Sequence, residues 1–177
     1  MTENFITVAS TLTVVADILI VYIVFAFFLR DTPHGKYFLN HLGRYGNLYG
    51  FIVALSALVA SLIFSNIIGF TPCELCWVQR IFLYSQVPLL GLALWKRDTK
   101  ISDYSIILSV LGFVVALYHS YTQLGGHSLT ACTTAGGACS KIYFVEWGYV
   151  TIPSMALTAF ALLLLFMIAQ KRHAKTL

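Results

Sequence analysis

Long apolar blocks and short polar segments alternate along the whole chain. The apolar blocks cover residues 5–29, 48–70, 77–95, 104–121 and 150–169. Each block is about 18 to 25 residues long, which is enough for a helix to cross the hydrocarbon core of a bilayer. The blocks lack the alternation of barrel strands, and backbone polar groups in lipid must be satisfied internally, so each block is predicted to be a helix. The pattern predicts an all-α integral membrane protein, in which a four-helix transmembrane bundle follows one extra N-terminal transmembrane helix.

The five blocks divide the chain into three predicted parts. Residues 1–47 hold the N-terminal helix, at about 5–29, and a linker; residues 48–170 form the four-helix bundle with a long loop at 122–149; residues 171–177 form a tail. The first block has no basic N-terminal region and no small-residue cleavage site, so it is predicted to be a helix rather than a cleaved signal peptide.

The first block also contains an acidic residue, Asp17, about half-way along its length. An acid in the middle of a transmembrane helix costs about 3 kcal/mol, which the many apolar residues of this block outweigh. The sequence identifies no partner for Asp17, and a packing role is the simplest interpretation.

Composition and charge support a membrane protein and predict its orientation. Hydrophobic residues make up 59% of the chain and charged residues 10%, against about 45–50% and 25% in soluble domains. Positive residues are retained on the cytoplasmic side. Nine of the eleven basic residues fall in three alternating polar segments: Arg30, Lys36 and Arg44, then Lys96, Arg97 and Lys100, then Lys171, Arg172 and Lys175.

This distribution places the linker and the C-terminal tail in the cytoplasm, and the N-terminus, the turn at 66–76 and the loop at 122–149 outside the cell. The net charge of +4 follows from topology. Since no basic groove with interleaved aromatic residues is present, membrane lipid is the expected environment and nucleic acid binding is not expected.

All four cysteines fall in the predicted outward segments, where two disulfides are expected because that side is oxidising. Cys73 and Cys76 follow Thr71 and Pro72, and the sequence predicts a helix start with Thr71 as N-cap, Pro72 in the first position and Glu74 closing a capping box. The helix dipole favours a thiolate there. A bridge across two residues closes too small a ring to stabilise the fold much, so this pair suits disulfide exchange.

Arg80 follows Cys76 by one helical turn and is the basic residue inside a predicted span. A buried partner such as a thiolate or a reduced quinone oxygen would offset the energetic cost of this charge, and extension of the side chain to the outer headgroups is the alternative.

The second pair, Cys132 and Cys139, lies in a Gly- and Thr-rich loop. Such a loop is expected to be mobile and to suit a mixed disulfide with a protein, although a structural staple remains an alternative.

Taken together, these motifs resemble the DsbB disulfide bond formation proteins, and most closely their BdbC-type branch. The resemblance rests on the order Pro-Cys-x-x-Cys-Trp-x-x-Arg at a helix start, a second cysteine pair in the next outward loop, and Ile152-Pro153 opening the last helix. It covers about residues 48–170. The combined pattern is far more specific than a lone Cys-x-x-Cys.

The resemblance implies a relay of electrons from protein thiols to a membrane quinone, either menaquinone or ubiquinone. A thioredoxin-fold partner of the DsbA or BdbD kind would be oxidised by the Cys132–Cys139 disulfide, and its electrons would pass to Cys73–Cys76. By position, Cys132 forms the mixed disulfide, Cys76 contacts the quinone as thiolate or adduct, and Arg80 steadies that charge. His119 falls where the family places a quinone-proximal histidine.

Three alternatives stay open from the sequence. A vitamin K epoxide reductase-like protein also couples Cys-x-x-Cys to quinone, but its loop pair precedes that motif. Four cysteines could also bind zinc or an iron–sulfur cluster, although their spacing and the oxidising side argue against a metal. The third alternative is a non-enzymatic membrane protein with two structural disulfides.

Overall fold

The computed structural model describes residues 2–98, 100–126 and 139–176. Over these ranges the chain forms six α-helices and one π-helical turn. They are α1 (Thr2–Phe28), α2 (Pro33–Arg44), α3 (Gly46–Leu62), the π-helical turn (Ile63–Ile67), α4 (Glu74–Lys96), α5 (Ile101–Gln123) and α6 (Ile152–Thr176).

Four of these helical segments are long and apolar enough to cross a membrane: Thr2–Phe28, Gly46–Ile67, Ile101–Gln123 and Ile152–Lys175. The predicted all-helical membrane fold is therefore confirmed. Helix α4 has the same length as α5, 23 residues, but is less apolar because it carries Gln79, Arg80 and Gln86. These polar side chains are buried or half-buried in the protein.

Helix α6 lies at the centre of the molecule. It packs against α1, α2, α3 and α5, while α4 packs between α3 and α5. Its side chains Phe160, Leu163 and Met167 are fully buried in the core. The ring of Phe160 occupies the space where a Cβ at Gly112 of α5 would lie, so these two helices approach closely. Such contacts at small residues are a main source of helix association in lipid.

Helix α2 lies in a segment for which the sequence predicted only a linker. Its N-cap is Thr32, whose side-chain oxygen accepts a hydrogen bond of 3.2 Å from the Gly35 amide, and Pro33 takes the first position. A Cβ at Gly43 would lie only 2.5 Å from Cβ of His173 in α6. Packing on α6 stabilises this short helix, and that contact is not visible in the local sequence pattern.

The structure supplies the partner that Asp17 lacked in the sequence. Its two carboxylate oxygens accept hydrogen bonds from the Tyr149 hydroxyl, at 2.8 Å, and from the Thr158 hydroxyl, at 2.6 Å. Thr158 lies in α6, and Tyr149 lies just before it. Asp17 therefore fixes the N-terminal helix to the central helix of the bundle.

The basic segments meet at one end of the bundle, which we call the basic end. There the Lys171 ammonium lies 2.5 Å from the Asp103 carboxylate, and the Asn47 side-chain amide donates to the Asp98 carbonyl oxygen at 3.2 Å. Cys73, Cys76 and Cys139 lie at the opposite end, which we call the cysteine end. That the basic end faces the cytoplasm stays a prediction.

Candidate functional site

The first cysteine pair lies at the start of α4. This helix begins two residues later than the sequence predicted. Helix α4 begins at Glu74, and Cys73 is its N-cap in an extended conformation, with φ −76° and ψ 174°. The predicted N-cap role of Thr71, with Pro72 in the helix and Glu74 closing a capping box, was therefore wrong. Tyr143 contacts Thr71 instead: its hydroxyl donates to the Thr71 carbonyl at 2.8 Å. A residue before proline also favours an extended backbone.

The two thiols of this pair are free and in contact. Their sulfur atoms lie 3.3 Å apart; Cys73 is buried, and Cys76 is half-buried. A hydrogen bond from the Cys76 thiol, the largest cause, and another from His119 hold the pKa of the Cys73 thiol well below its ordinary value of 9.0, although burial opposes this shift. The reduced pair therefore keeps its negative charge on Cys73, at the N-terminal end of α4, where the helix dipole also favours it.

His119 connects the two cysteine pairs. It is buried near the end of α5, and its Nε2 lies 3.6 Å from Cys73 Sγ and 3.1 Å from the carbonyl oxygen of Cys139. Its Nδ1 lies 3.1 Å from the side-chain nitrogen of Gln79. Because that amide nitrogen donates, Nδ1 accepts, and Nε2 carries the N–H. This one N–H faces both the Cys73 sulfur and the Cys139 carbonyl.

The second pair is described in part. Cys139 is disulfide-bonded and buried, while Cys132 lies outside the described residues, as does most of the loop that was predicted to be mobile. Beyond Cys139, the chain is fixed to α5 by the Gln123 side-chain amide, which donates to the Lys141 carbonyl at 3.1 Å. The backbone of Cys139, the second residue of this pair, therefore contacts His119 and lies close to Cys73.

A cavity of about 120 Å³ opens at the cysteine end between α3, α4 and α6. Its polar wall is formed by α4, through Cys76, Gln79 and Arg80, and most of the remaining wall is apolar or aromatic. The other lining residues are Ala57, Ala60, Ser61, Phe64, Phe70, Thr71, Pro72, Leu83, Tyr143, Ile152, Met155, Ala156 and Phe160. An apolar cavity with a few convergent polar groups is the usual form of a small-molecule site.

Arg80 lies against α3 beside this cavity. Its Nε donates to the Ser61 hydroxyl at 2.9 Å and its Nη2 donates to the Ser61 carbonyl at 3.1 Å. Its guanidinium carbon lies 5.1 Å from the centre of the Trp77 ring. A guanidinium has five N–H donors, so the Ser61 contacts leave other donors for a ligand in the cavity. The π-helical turn Ile63–Ile67 begins two residues after Ser61, and such turns are frequent at functional sites.

Gln79 is a site residue that the prediction from sequence left out, because one polar residue at a membrane interface is weak evidence for a ligand contact. It is 6% exposed, lines the cavity and contacts His119. Its position three residues after Cys76 puts both on one helical face, which was the signal available. His119 itself is not one of the described residues that line the cavity, so a direct contact with a quinone stays a prediction.

The same side chains have the composition of a metal site. The donor atoms of Cys73, Cys76 and His119 all lie within 4.8 Å of one another. Two thiolates and an imidazole suit zinc, with a fourth position open. The arrangement is chemically capable of either thiol exchange or metal binding, and the comparison with known proteins bears on that choice.

A family model and three relatives that are similar to this chain are named for disulfide formation. The family model "Disulfide bond formation protein DsbB" matches residues 43–170. "Disulfide bond formation protein C" of Bacillus subtilis is 40% identical over 117 residues, which are 66% of this chain and 85% of that protein. "Probable disulfide formation protein" of Metapseudomonas resinovorans is 31% identical over 71% of this chain and 89% of its own length.

A third relative, the "SPbeta prophage-derived disulfide bond formation protein B" of Bacillus subtilis, is 37% identical over 64% of this chain and 76% of its own length. No solved structure matches the chain. The family match includes both cysteine pairs, Arg80 and His119. The chain therefore belongs to the DsbB family and is a multi-pass membrane protein of disulfide bond formation.

Proposed function

We propose that the chain reoxidises an extracytoplasmic thioredoxin-fold thiol oxidase of the DsbA or BdbD kind and passes the electrons to a membrane quinone. The overall reaction converts the partner's dithiol into a disulfide. The chain's two cysteine pairs transfer two electrons and two protons in each catalytic turnover. The observation that carries the proposal is the contact of His119 with both Cys73 and the Cys139 backbone, because one side chain then joins the two pairs.

The first exchange takes place at the second pair. A thiolate of the partner attacks the sulfur of Cys132, the Cys132–Cys139 bond breaks, and Cys139 leaves as a thiolate. The partner's second thiol then displaces Cys132, which releases the oxidised partner and leaves Cys132 and Cys139 as a dithiol. The Gly- and Thr-rich sequence between these cysteines suits the approach of a protein.

The second exchange moves the electrons to α4. A thiolate of the Cys132–Cys139 pair attacks the sulfur of Cys73, and the Cys73–Cys76 bond breaks. The remaining thiol of the second pair then displaces Cys73, so that the Cys132–Cys139 disulfide forms again. A sulfur of lowered pKa leaves faster in thiol exchange, and the lowered pKa of Cys73, caused first by the Cys76 thiol and then by His119, favours this step.

The cavity beside Cys76 fits the headgroup of a quinone in size and chemistry. Its volume of about 120 Å³ is close to that of apolar cavities, about 150 Å³, that accept a single aromatic ring. A quinone bound there would supply the acceptor for the two electrons and two protons that Cys73 and Cys76 give up on becoming a disulfide. Arg80 and Gln79 provide N–H donors toward charge on an oxygen, and Cys76 is the sulfur that lines the cavity.

Orientation completes the proposal. With the basic end in the cytoplasm, the cysteine end faces outward, where a secreted thiol oxidase works. The N-terminus then lies outside and the C-terminus inside. The acceptor is either menaquinone or ubiquinone.

The proposal is tested with purified full-length protein, a reduced thioredoxin-fold substrate and a short-chain quinone analogue, by following quinone reduction and substrate oxidation together. We expect Cys76→Ser to abolish quinone reduction and Arg80→Ala to raise KM for the quinone about tenfold, since a hydrogen bond from a charged donor is lost. Arg97→Ala, at the basic end, is the matched control and should leave both rates unchanged. Substrate oxidation that persists in Cys76→Ser would contradict the proposal.

A further inference from the structure

A cationic groove lies at the basic end, remote from the cysteines. It has a volume of about 740 Å³ and is formed by α1, α2 and α6. Four of its residues are lysines or arginines: Arg30, Lys36, Arg172 and Lys175. Phe27, Tyr37 and Leu39 add apolar surface. The groove therefore combines several positive charges with an apolar floor.

A second cavity of about 560 Å³ adjoins this groove and is mainly apolar. The two cavities share Phe27, Arg30 and Arg172. From there the second cavity extends between α1 and α6, along Val24, Phe28, Leu165 and Ile168, and its one acidic lining residue is Asp31 beside Arg30. A ligand that fills both parts must therefore carry an anionic group and a hydrocarbon chain.

The positive charges of the groove are available to a ligand. Within the part of the chain that the structure describes, no carboxylate lies within ion-pair distance of Lys36 or Arg172. Arg30 lies 3.9 Å from Asp31, and both side chains are mainly exposed, so this pair is weak. Lys171 differs, because it is paired with Asp103.

Arg172 is held in place by an aromatic ring, and no acidic partner lies beside it among the residues that the structure describes. Its guanidinium carbon lies 5.0 Å from the centre of the Phe27 ring. A guanidinium stacked on a ring directs its N–H donors away from the ring. Phe27 thus positions Arg172 at the junction of the cationic and apolar cavities, where a phosphate would meet its acyl chains.

We propose that this site binds an anionic phospholipid of the phosphatidylglycerol class. Its phosphate would lie between Arg30 and Arg172, near Lys36, and an acyl chain would lie along Phe27 and Ile168. Basic pockets between transmembrane helices are suited to such headgroups. The family match covers residues 43–170, so the cations Arg30, Lys36 and Arg172 all lie outside it. The site would give the extra helix a lipid-dependent hold on the bundle.

The test is native mass spectrometry of the full-length protein, released from nanodiscs that contain equal amounts of phosphatidylglycerol and phosphatidylcholine. We expect the wild type to retain phosphatidylglycerol preferentially. Arg30→Gln and Arg172→Gln should each lower its retention about fivefold, the loss typical of one cation near an anionic surface. Arg172→Lys, which keeps the charge, should retain more lipid than Arg172→Gln. Ile168→Trp, which fills the apolar part, should also reduce retention.

The matched control is Lys96→Gln with Lys100→Gln, which removes two cations at the same end but outside the groove. Equal losses in this control and in Arg30→Gln with Arg172→Gln would overturn the proposal in favour of general surface charge. Displacement of the lipid by inorganic phosphate at equal concentration would also overturn it, since the apolar cavity would then contribute nothing. The melting temperature of each variant without added lipid checks that it is folded.

Discussion

Two buried polar clusters lie between α4 and α5, and they differ in how completely their hydrogen bonds are satisfied. The first, which we call the redox cluster, consists of Cys73, Gln79, His119 and the Cys139 carbonyl. The second, the mid-bundle network, consists of Gln86, Ser105 and Ser109, all fully buried. Both join the same two helices, so the comparison isolates what distinguishes a reactive site from a structural one.

In the mid-bundle network each of the two hydrogen bonds joins one donor to one acceptor. The Gln86 amide donates to the Ser109 hydroxyl at 2.9 Å, and the Ser105 hydroxyl donates to the Gln86 carbonyl oxygen at 2.5 Å. In the redox cluster, by contrast, a single His119 N–H faces both a sulfur and a carbonyl oxygen. Gln79 also lines the cavity. Buried polar side chains alone therefore do not identify the reactive site. What distinguishes it is a donor shared between two acceptors, next to a titratable sulfur and a cavity.

The largest effect is expected from breaking the redox cluster at His119. His119→Leu removes the N–H that faces Cys73 and Cys139, so the Cys73 thiolate loses a hydrogen bond and the two pairs lose their link. We expect oxidation of the thioredoxin-fold substrate to fall about 100-fold, the size of effect typical of a group that assists proton transfer. Substrate oxidation by the purified protein with excess quinone measures it.

Ser120→Ala is the matched control for that change. Ser120 is the next residue of α5, and its hydroxyl donates only to the Ala116 carbonyl of its own helix, at 2.9 Å. We expect its turnover to equal that of the wild type. Turnover of His119→Leu within twofold of the wild type would show that the contact does not link the pairs.

A smaller effect, on stability rather than turnover, is expected from the mid-bundle network. Gln86→Met leaves the Ser105 and Ser109 hydroxyls without their partner, and should lower the free energy of unfolding by about 1–2 kcal/mol. Turnover per folded molecule should not change. Unfolding in mixed detergent measures the first and quinone reduction the second.

Adding Ser105→Ala and Ser109→Ala to Gln86→Met tests whether the unpaired hydroxyls cause the loss of stability. Removing all the polar partners leaves no unpaired group, so part of the lost stability should return. A loss of turnover in Gln86→Met at full occupancy of the folded state would give this network a role in the chemistry, contrary to our interpretation.

A further effect is expected on the titration of Cys73, which is measured in the reduced protein without turnover. Because its pKa lies below 9.0, the thiolate persists as the pH falls below that value and disappears only near the lowered pKa. Cys76→Ala removes the largest cause of the shift, so the titration should move upward, toward 9.0. Ultraviolet thiolate absorbance of the reduced protein measures both, with Cys73→Ser as the blank. If the titration of Cys73 did not shift in Cys76→Ala, a group other than Cys76 would be the main cause of the low pKa.

Much of the fold could be predicted because the bilayer imposes length and polarity on each helix. Helix α2 was not predicted because its 12 residues are too few and too polar to span a membrane, although Thr32 and Pro33 form a typical helix start; its contact with α6 stabilises it. The partners of Asp17 were also out of reach. Tyr149 and Thr158 are 132 and 141 residues away along the chain, so only the packing of α1 on α6 brings them together.

The site was predictable where a motif fixes spacing and not where tertiary contacts do. The Cys-x-x-Cys pair and Arg80 share α4, and their spacing gave the correct proximity. The contact between His119 and the Cys139 backbone, the Ser61 partner of Arg80, and the role of Gln79 depend on how α3, α4 and α5 pack. Helix α4 begins at Glu74 and not at the predicted Pro72, because Tyr143, from the distant loop, binds Thr71.

The most direct test of the relay is thiol trapping of all four cysteines in native membranes, with and without quinone, alongside oxidation of the dithiol partner. The account predicts that, with reduced partner and no quinone, Cys73 and Cys76 accumulate as thiols, and that added quinone returns them to a disulfide while the partner becomes oxidised. Trapping of Cys73 and Cys76 that does not respond to quinone would contradict the account. So would stoichiometric zinc in purified protein with all four thiols reduced.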